Sequence, residues 1–377
     1  MLSQKEKLAR LKIVRSGSIG PSIFWNLINS YGDGEKALQA LPIIFKSASK
    51  PVEVYSDQKV EQELENLKKI GARLVFFEDE LYPPLLRTLP DPPPLLTFLG
   101  SLEKMGKFFQ KNIISVVGSR NASLHAKRFC MSLCEKLSDE GVIIASGMAR
   151  GIDTCAHMGS LKNGTIAVLA GGINIIYPQE NTKLYEEIAA TGCILTEMPY
   201  NTAMQPQLFP RRNRIIAGVS VGTVVIEAAE QSGSLITARF ALEYGRDVFA
   251  VPGFPLDPRS IGCNNLLKDG AILVQSPQDI LNYIENRKVI QQSLLEERPK
   301  FAAKISDHDL KKTQKKILES LNTVPITVDE LISSIQIHPQ EVLTALMELE
   351  LANKISRLHG QQVCLAPGFE NYDGKSF

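Results

Sequence analysis

Three arginines lie within four residues, shortly after an aromatic side chain: Phe209, then, beyond Pro210, Arg211, Arg212 and Arg214. A guanidinium group donates two parallel hydrogen bonds to a phosphate, and an aromatic face stacks on a base. Between residues 201 and 246 the sequence holds five arginines and three glutamates, so this stretch carries a net charge of +2. The pattern, which includes Asn213, predicts a phosphate or nucleic-acid site. The alternative is an exposed basic turn, or arginines that pair with those glutamates.

Small residues follow four of the predicted strands, at the point where each strand ends. Glycine lets the backbone approach a ligand closely, and serine hydroxyls and free N–H groups at helix starts bind anions. Because the carboxyl ends of parallel strands meet at one edge of a sheet, these loops are expected to form one phosphate cradle. The alternative is that the glycines only make tight turns and the serines only cap helices. The residues concerned are Gly118, Ser119, Arg120, Ser146, Gly147, Gly151, Gly171, Gly172, Ser232, Gly233 and Ser234.

The acidic and histidine side chains near these loops do not form a catalytic set. Asp153 follows a glycine and starts a predicted helix, where a capping role is favoured. His157 lies one turn later, where a core position is favoured. No nucleophile has a spacing that would pair it with a base. The two common nucleotide-binding motifs are missing, and the six cysteines show neither a C-x-x-C pair nor a zinc-site spacing. We therefore expect no catalytic residue, no metal and no cofactor.

Apolar runs and helical patterns follow one another between residues 111 and 285. Within each run the apolar residues are continuous, which is typical of strands buried on both faces of a parallel sheet. This order predicts an α/β fold whose core is an extended, Rossmann-like, mostly parallel sheet. Predicted strands lie at 113–117, 142–145, 165–170, 194–195, 221–226, 248–251 and 271–274, and predicted helices at 123–137, 153–161, 182–190 and 235–244.

The rest of the chain divides into four further segments. Residues 1–72 are expected to form a helical domain, and residues 73–110, where prolines cluster, a connecting segment. Residues 286–308 are expected to form a polar linker. Residues 309–368 predict three helices and a hairpin, an order that suggests a winged helix. That segment has six basic and seven acidic residues and its third helix has no lysine or arginine, so protein contact is favoured over reading of a DNA groove.

The charge of the whole chain is almost balanced, with 42 Lys and Arg against 41 Asp and Glu. An anion site must therefore be created locally by the fold. No apolar run reaches the roughly 18 residues that a membrane helix needs, and residues 1–15 lack the apolar stretch of a signal peptide. We expect a cytoplasmic protein without a membrane partner.

Several longer motifs run through the predicted core in a fixed order: Val117-Gly118-Ser119-Arg120, Ser146-Gly147-x-Ala149-x-Gly151-Ile152-Asp153, Tyr177-Pro178, Phe209-Pro210-x-Arg212-Asn213-Arg214, Ser232-Gly233-Ser234-Leu235-Ile236-Thr237-Ala238 and Gly245-Arg246-Asp247-Val248. Their order and spacing resemble those of the DprA/Smf family of DNA-processing proteins. The resemblance covers residues 111–285 almost continuously, and the proline-rich segment also fits. Residues 1–72 resemble the SAM-like domain, and residues 309–368 the winged helix, that some members carry.

The resemblance implies that the core binds single-stranded DNA without strong sequence preference and without enzymatic turnover. It implies delivery of RecA onto that DNA, protection of incoming strands during natural transformation, and homodimerisation through the core. In the family, the arginine of the Gly-Ser-Arg motif and the pocket around the Arg-Asn-Arg motif contact the DNA backbone. By match these residues are Arg120, Arg212, Asn213 and Arg214, with Phe209 as the neighbouring aromatic.

The main rival interpretation is an enzyme. Gly222-Thr223-x-x-x-Glu227 is similar to part of a motif of the nucleoside-monophosphate phosphoribohydrolases, in which a glutamate and an arginine serve cleavage of the N-glycosidic bond on a related Rossmann-like fold. Ser220 and Val221 stand where that motif has two glycines, so the motif is incomplete. A scaffold that binds only proteins is the third class, and it would not retain DNA.

Overall fold

The structure is a computed structural model that describes residues 2–17, 19–44, 53–296, 307–322, 324–351, 354–358 and 362–366. The chain divides into two compact units, Met1–Val289 and Ile290–Phe377. Of the predicted linker, residues 286–296 continue a helix, Pro277–Glu296, whereas residues 297–306 lie outside the described residues. The turn of the predicted C-terminal hairpin, residues 359–361, also lies outside them.

A helical domain begins the first unit, as the sequence predicts. Its helices pack around a small apolar core that includes Ile13, Phe24 and Leu41. Ser3 and Ser56 cap two of the helices, because each side chain accepts a hydrogen bond from a backbone N–H of the first turn. The helices are α1 (Gln4–Arg15), α2 (Pro21–Tyr31), α3 (Gly34–Ile44) and α4 (Asp57–Lys69).

One buried arginine joins this helical domain to the sheet behind it. Arg15, the last residue of α1, donates from Nε to Glu63 of α4 at 3.1 Å. Its Nη1 donates to the backbone carbonyl oxygen of Glu197 at 3.1 Å. A buried charge is tolerated only when it is paired and hydrogen-bonded. Arg15 therefore holds the end of α1 against both α4 and the segment that follows β6.

The core of the first unit is a nine-stranded sheet with the order β1-β2-β6-β5-β4-β3-β7-β8-β9. The strands from β6 to β9 in this order run parallel to one another, while β2 runs antiparallel to both β1 and β6. The predicted mostly parallel sheet is confirmed. The strands are β1 (Arg73–Phe76), β2 (Leu95–Gly100), β3 (Ile113–Gly118), β4 (Ile143–Ser146), β5 (Thr165–Val168), β6 (Cys193–Thr196), β7 (Gly222–Ile226), β8 (Asp247–Ala250) and β9 (Ile272–Leu273).

Helices cover both faces of the sheet, which explains the continuous apolar runs of its strands. In β3, Ile113 and Val117 face one core cluster while Ile114 and Val116 face the other. None of the helices in the described residues is long and apolar enough to cross a membrane. The helices of this layer are α5 (Leu102–Phe108), α6 (Leu124–Asp139), α7 (Ile152–Ser160), α8 (Thr182–Thr191), α9 (Leu208–Gly218), α10 (Gly233–Glu243), α11 (Ile261–Lys268) and α12 (Pro277–Glu296).

The proline-rich segment contributes to the sheet itself. Residues 73–110, which the sequence suggests are a connecting segment, contain β1, β2 and α5. The prolines lie between β1 and β2 and not within them, so no ladder hydrogen bond is lost. Tyr82 is fully buried in this stretch and donates its hydroxyl to the carbonyl of Pro93 at 2.8 Å. This contact holds the proline turn against the core.

The second unit contains the expected winged-helix elements. Three helices and a three-stranded antiparallel sheet enclose a separate apolar core that includes Ile317, Leu331 and Leu346. Thr327 and Glu330 form a reciprocal capping box at the start of the second helix. The elements are α13 (Asp307–Ser320), β10 (Ile326–Thr327), α14 (Val328–Ile335), α15 (Pro339–Leu351), β11 (Ile355–Leu358) and β12 (Gln362–Leu365).

Candidate functional site

A cavity of about 520 Å³ opens beyond the carboxyl ends of β3 and β7. The loop after β3, the first turns of α9 and the start of α10 form its walls. This is the edge at which open parallel sheets bind ligands. Nine of the residues predicted from the sequence line it: Gly118, Ser119, Arg120, Phe209, Arg212, Asn213, Ser232, Gly233 and Ser234.

Arg120 and Phe209 meet at the mouth of this cavity. The guanidinium carbon of Arg120 lies 4.7 Å from the centre of the Phe209 ring, a cation–π contact. Arg120 is exposed, and within the described residues it forms no ion pair with a carboxylate. Its positive charge is therefore available to an anion. The stacked position also holds the long side chain in place before a ligand arrives.

Arg212 lies beneath the cavity and is buried. Its Nη1 donates to the carbonyl oxygens of Gly147 and of Val168, the second at 2.6 Å. Burial lowers the pKa of Arg212 to about 10, while nearby Asp153 opposes that shift. The guanidinium therefore stays charged at neutral pH. It ties α9 to the ends of β4 and β5 and adds a fixed positive charge below the floor of the cavity.

Arg211 and Arg214 point away from the cavity and share one carboxylate. Glu197, which follows β6, accepts from Arg211 Nε at 2.8 Å and from Arg214 Nη2 at 2.5 Å. Arg214 is buried and also donates to the carbonyl of Asp91 at 2.8 Å. Residues three apart on a helix share a face, so α9 turns both arginines toward the same partner. Arginine–glutamate pairing is one of the alternatives that the sequence allows, but the partner is Glu197 and not one of the nearby Glu227, Glu230 and Glu243.

Two of the predicted glycines are required by close packing around the cavity. A Cβ atom on Gly147 would collide with the guanidinium of Arg212. Gly151 has φ +79°, in the left-handed region, and a Cβ atom there would meet the carbonyl oxygens of Ser119 and Arg120. Both glycines therefore shape the loops that carry the lining residues and do not line the cavity themselves.

Three further predicted residues also lie away from the cavity. Ser146 is buried and donates its hydroxyl to the carbonyl of Val116 at 2.6 Å. Gly171 and Gly172 pack against residues 199–204 on the far side of β5. Their loop follows a strand end, as expected, but it packs against the segment after β6 and does not line the cavity.

The two acid-base candidates have structural surroundings. Asp153 does not cap α7 as expected: Gly151 is the N-cap residue, and the carboxylate of Asp153, in the first turn, accepts a hydrogen bond from the backbone N–H of Ala149 at 3.3 Å and lines the cavity. Burial raises the pKa of Asp153, and the charge of Arg212 opposes the shift. His157 Nδ1 bonds the hydroxyl of Thr165 at 2.9 Å, while its Nε2 is buried without a partner among the described residues. Burial, with a smaller effect of Arg212, lowers the pKa of His157 to about 3, so its ring is neutral.

The sequence analysis did not single out three side chains of this site. Asn121 and Gln231 line the cavity from the loops after β3 and β7. Tyr177, named only as part of a motif, is 48% exposed, and its ring centre lies 6.0 Å from that of Phe209. Asn121 belongs to the same strand-end loop as Gly118, Ser119 and Arg120, although only those three were predicted to bind. Nothing in the sequence places Tyr177 beside Phe209.

Arg214 and Arg120 are expected to contribute very differently to the free energy of unfolding. Arg214→Ala leaves a buried carboxylate with one partner removed, so we expect the free energy of unfolding to fall by about 3 kcal/mol. Arg120→Ala removes only an exposed contact, and we expect a change within about 0.5 kcal/mol. Urea denaturation followed by circular dichroism measures both variants. A stable Arg214→Ala variant would show that its ion pair contributes little to the fold.

Comparison with known proteins identifies the family and supports the fold. Residues 73–285 match the family model described as DNA recombination-mediator protein A. Residues 4–66 match the DprA-like N-terminal HHH domain, and residues 302–361 the DprA winged helix domain. The protein Smf of Synechocystis is 32% identical over 91% of this chain and 95% of its own.

Two solved structures share the architecture. The X-ray structure of DNA processing protein A from Streptococcus pneumoniae superposes with a TM-score of 0.62 and 34% identity, covering 75% of this chain and 98% of that one. DNA processing protein A from Helicobacter pylori, which has a single-stranded DNA binding mode, gives a TM-score of 0.52 and 28% identity over 57% of this chain and 97% of that one. With the family model matched across the whole sheet domain, this chain belongs to the DprA/Smf family of DNA-processing recombination mediators.

Proposed function

We propose that this protein binds single-stranded DNA in the cavity beyond β3 and β7 and acts as a recombination mediator without enzymatic turnover. The single observation that carries the proposal is Arg120, an exposed guanidinium with no carboxylate partner among the described residues, held on an aromatic ring at the mouth of that cavity. A phosphate on this side of the ring would complete its hydrogen bonding.

The start of α10 offers a second contact for the same phosphate chain. Ser232 caps this helix, and Gly233 is exposed with open space around its Cα. The first N–H groups of a helix carry partial positive charge and bind anions. Asn213 helps to position this turn, because its Nδ2 donates to the carbonyl of Gly233 at 3.2 Å. The cavity thus presents donors from two walls to a sugar–phosphate strand.

The exposed ring of Tyr177 and the half-buried ring of Phe209 extend the site from phosphate to base. Stacking on aromatic side chains tolerates any base, since every base has a π face. A strand gripped through its backbone and stacked on these rings would be bound with little sequence preference. This agrees with the binding mode that the resemblance implies.

The enzyme alternative has less support. In the described structure the Glu227 carboxylate accepts a hydrogen bond from the backbone N–H of Ser123 at 2.7 Å, which places it at the start of α6 and not in the cavity beyond β3 and β7. We therefore favour binding over cleavage of a nucleotide. The finer roles follow the family: loading of RecA, protection of incoming strands in natural transformation or repair, and action as a homodimer.

Binding should weaken steeply with salt, because phosphate contacts release counterions. Between 50 and 200 mM salt we expect the affinity for oligo-dT to fall about tenfold or more, measured by fluorescence anisotropy. Arg120→Ala should lower the affinity for all sequences alike and reduce the salt slope by about one contact. Arg239→Ala, an exposed arginine of α10 outside the cavity, is the matched control. A flat salt response would exclude the phosphate model.

Tyr177→Ala should weaken binding of oligo-dT by about 1–3 kcal/mol, the usual contribution of one stacked base. Tyr177→Phe should bind as the unchanged protein does, because the ring is retained. Tyr31→Ala, an exposed tyrosine of α2, serves as the control. Oligonucleotides with abasic sites should show no effect of Tyr177→Ala, and an equal loss with those strands would mean that the ring supports the loop instead.

A gel shift with matched single-stranded and duplex DNA tests the mediator role. We expect retention of the single strand, weak retention of the duplex, and a slower complex when RecA is added at an amount that alone coats little DNA. Arg120→Ala should lose both shifts, because RecA is recruited to DNA that this protein holds. Unchanged RecA assembly with and without the protein would contradict the loading role.

A further inference from the structure

A second cavity, of about 350 Å³, lies beyond the carboxyl ends of β7 and β8. The DNA-binding proposal makes no use of it. Its walls come from the start of α6, the end of β7 and the loop after β8. The side chains that matter for its chemistry are His125, Phe129, Glu227, Phe254, Asp257 and Arg259.

The two cavities flank one ridge. Residues 118–121 line the first cavity, while Ser123 and His125 line the second. Buried Ala122 lies between these two sets along the chain. After β7 the order is reversed: Glu227 lines the second cavity, Ala228 is buried, and Ala229 and residues 231–234 line the first. A DNA strand that extends from the first cavity across this ridge would reach the second cavity.

The charges of the second cavity disfavour a phosphate. Arg259 is already bound by Asp257, with distances of 2.8 Å and 3.1 Å between their side-chain atoms. Because the charges of Arg259 and Asp257 cancel, the carboxylate of Glu227 gives these side chains a net negative charge, with His125 counted as neutral. Phosphate would be repelled, whereas an uncharged ring with N–H donors would not.

The walls suit a flat aromatic ligand. Phe129 is half-buried in the cavity, and Phe254 is 69% exposed on the loop after β8. An exposed phenylalanine ring contributes little to the stability of the fold, but it can stack on a base. Aromatic rings with a few convergent polar groups are the usual lining of a small-molecule site.

Glu227 supplies the polar group with a defined direction. Its backbone has φ +54°, an uncommon conformation for a residue other than glycine. The carboxylate Oε2 accepts the N–H of Ser123 at 2.7 Å, which fixes the side chain. No donor among the described residues bonds the other oxygen, Oε1. A carboxylate oxygen accepts hydrogen bonds and cannot donate one.

We propose that this second cavity binds one nucleobase of the single strand held by the first cavity, with the base stacked on Phe254 and its amino group bonded to Glu227. The inference rests on the proposed function. Cytosine and adenine carry exocyclic amino groups, and carboxylates accept from the amino group of cytosine in known base recognition. Thymine presents only a ring N–H between two carbonyl oxygens, which repel a carboxylate. The cavity therefore prefers an amino-bearing base.

The test compares oligo-dC with oligo-dT of equal length in fluorescence anisotropy. We expect the unchanged protein to bind oligo-dC about fivefold more tightly. Glu227→Gln keeps an acceptor for Ser123 but places an amide NH₂ where Oε1 lies. It removes both the acceptor for the cytosine amino group and the charge that repels thymine, so the preference for oligo-dC should disappear. Glu230→Gln, the same change on an exposed residue outside both cavities, should leave the preference intact. No preference in the unchanged protein, or one that survives in Glu227→Gln, overturns the proposal.

A second variant tests the stacking partner. Phe254→Ala should weaken both oligonucleotides by about fivefold to tenfold, and Leu256→Ala, an exposed residue of the same loop outside the cavity, should not. Sedimentation velocity on the same variants checks the other occupant. If Phe254→Ala changes only the association of the protein with itself, the cavity is an interface between copies and not a base site.

The two proposals fail in distinguishable ways. If the unchanged protein binds neither oligonucleotide, or if Arg120→Ala has no effect, the DNA-binding proposal fails and this one fails with it. If Arg120→Ala weakens both oligonucleotides equally while Glu227→Gln and Phe254→Ala bind normally, only the second cavity is excluded.

Discussion

The arrangement of the cavity beyond β3 and β7 depends on one buried charge. Arg212 holds the carbonyl oxygens of Gly147 and Val168, so the first turns of α9 lie against the ends of β4 and β5. This contact sets where Phe209 stands, and the ring in turn receives Arg120 from the loop after β3. Burying a guanidinium is costly unless its donors are satisfied. Here the carbonyl oxygens at two strand ends satisfy these donors, whereas elsewhere in such sheets strand-end carbonyls face a ligand or water.

The neighbouring arginines have divided roles because α9 is a helix. Arg211 and Arg214 lie on the face that meets Glu197, Arg212 lies on the face that meets the strand ends, and Arg120 comes from another element altogether. One charge is therefore offered to a ligand while the others hold the scaffold. Such a site can keep its shape when it is empty, since the protein itself supplies hydrogen-bond acceptors to these buried arginines.

Much of the fold, and part of the site, could be predicted from the sequence. Continuous apolar runs identified the strands because both faces of the sheet are covered, and the loops after β3 and β7 met as strand-end geometry requires. The division among the arginines was missed because they were treated as one basic stretch outside the predicted helices, whereas α9 begins at Leu208 with Pro210 in its first turn, where proline is tolerated. With that start, the three-residue spacing places Arg211 and Arg214 together. The partner Glu197 and the ring of Tyr177 are long-range neighbours that no local pattern encodes.

The carboxylate of Glu197 pairs with α9, while its main-chain carbonyl receives Arg15 from α1. A single residue thus links the amino-terminal helices to the segment that forms the wall of the cavity. If those helices detach, a buried guanidinium loses a partner in the same event that exposes the proline turn and the outer strands beside it. Heating should consequently melt the helical domain and the sheet in one cooperative transition, with the α9 wall of the cavity protected from local opening for as long as the amino-terminal helices stay docked.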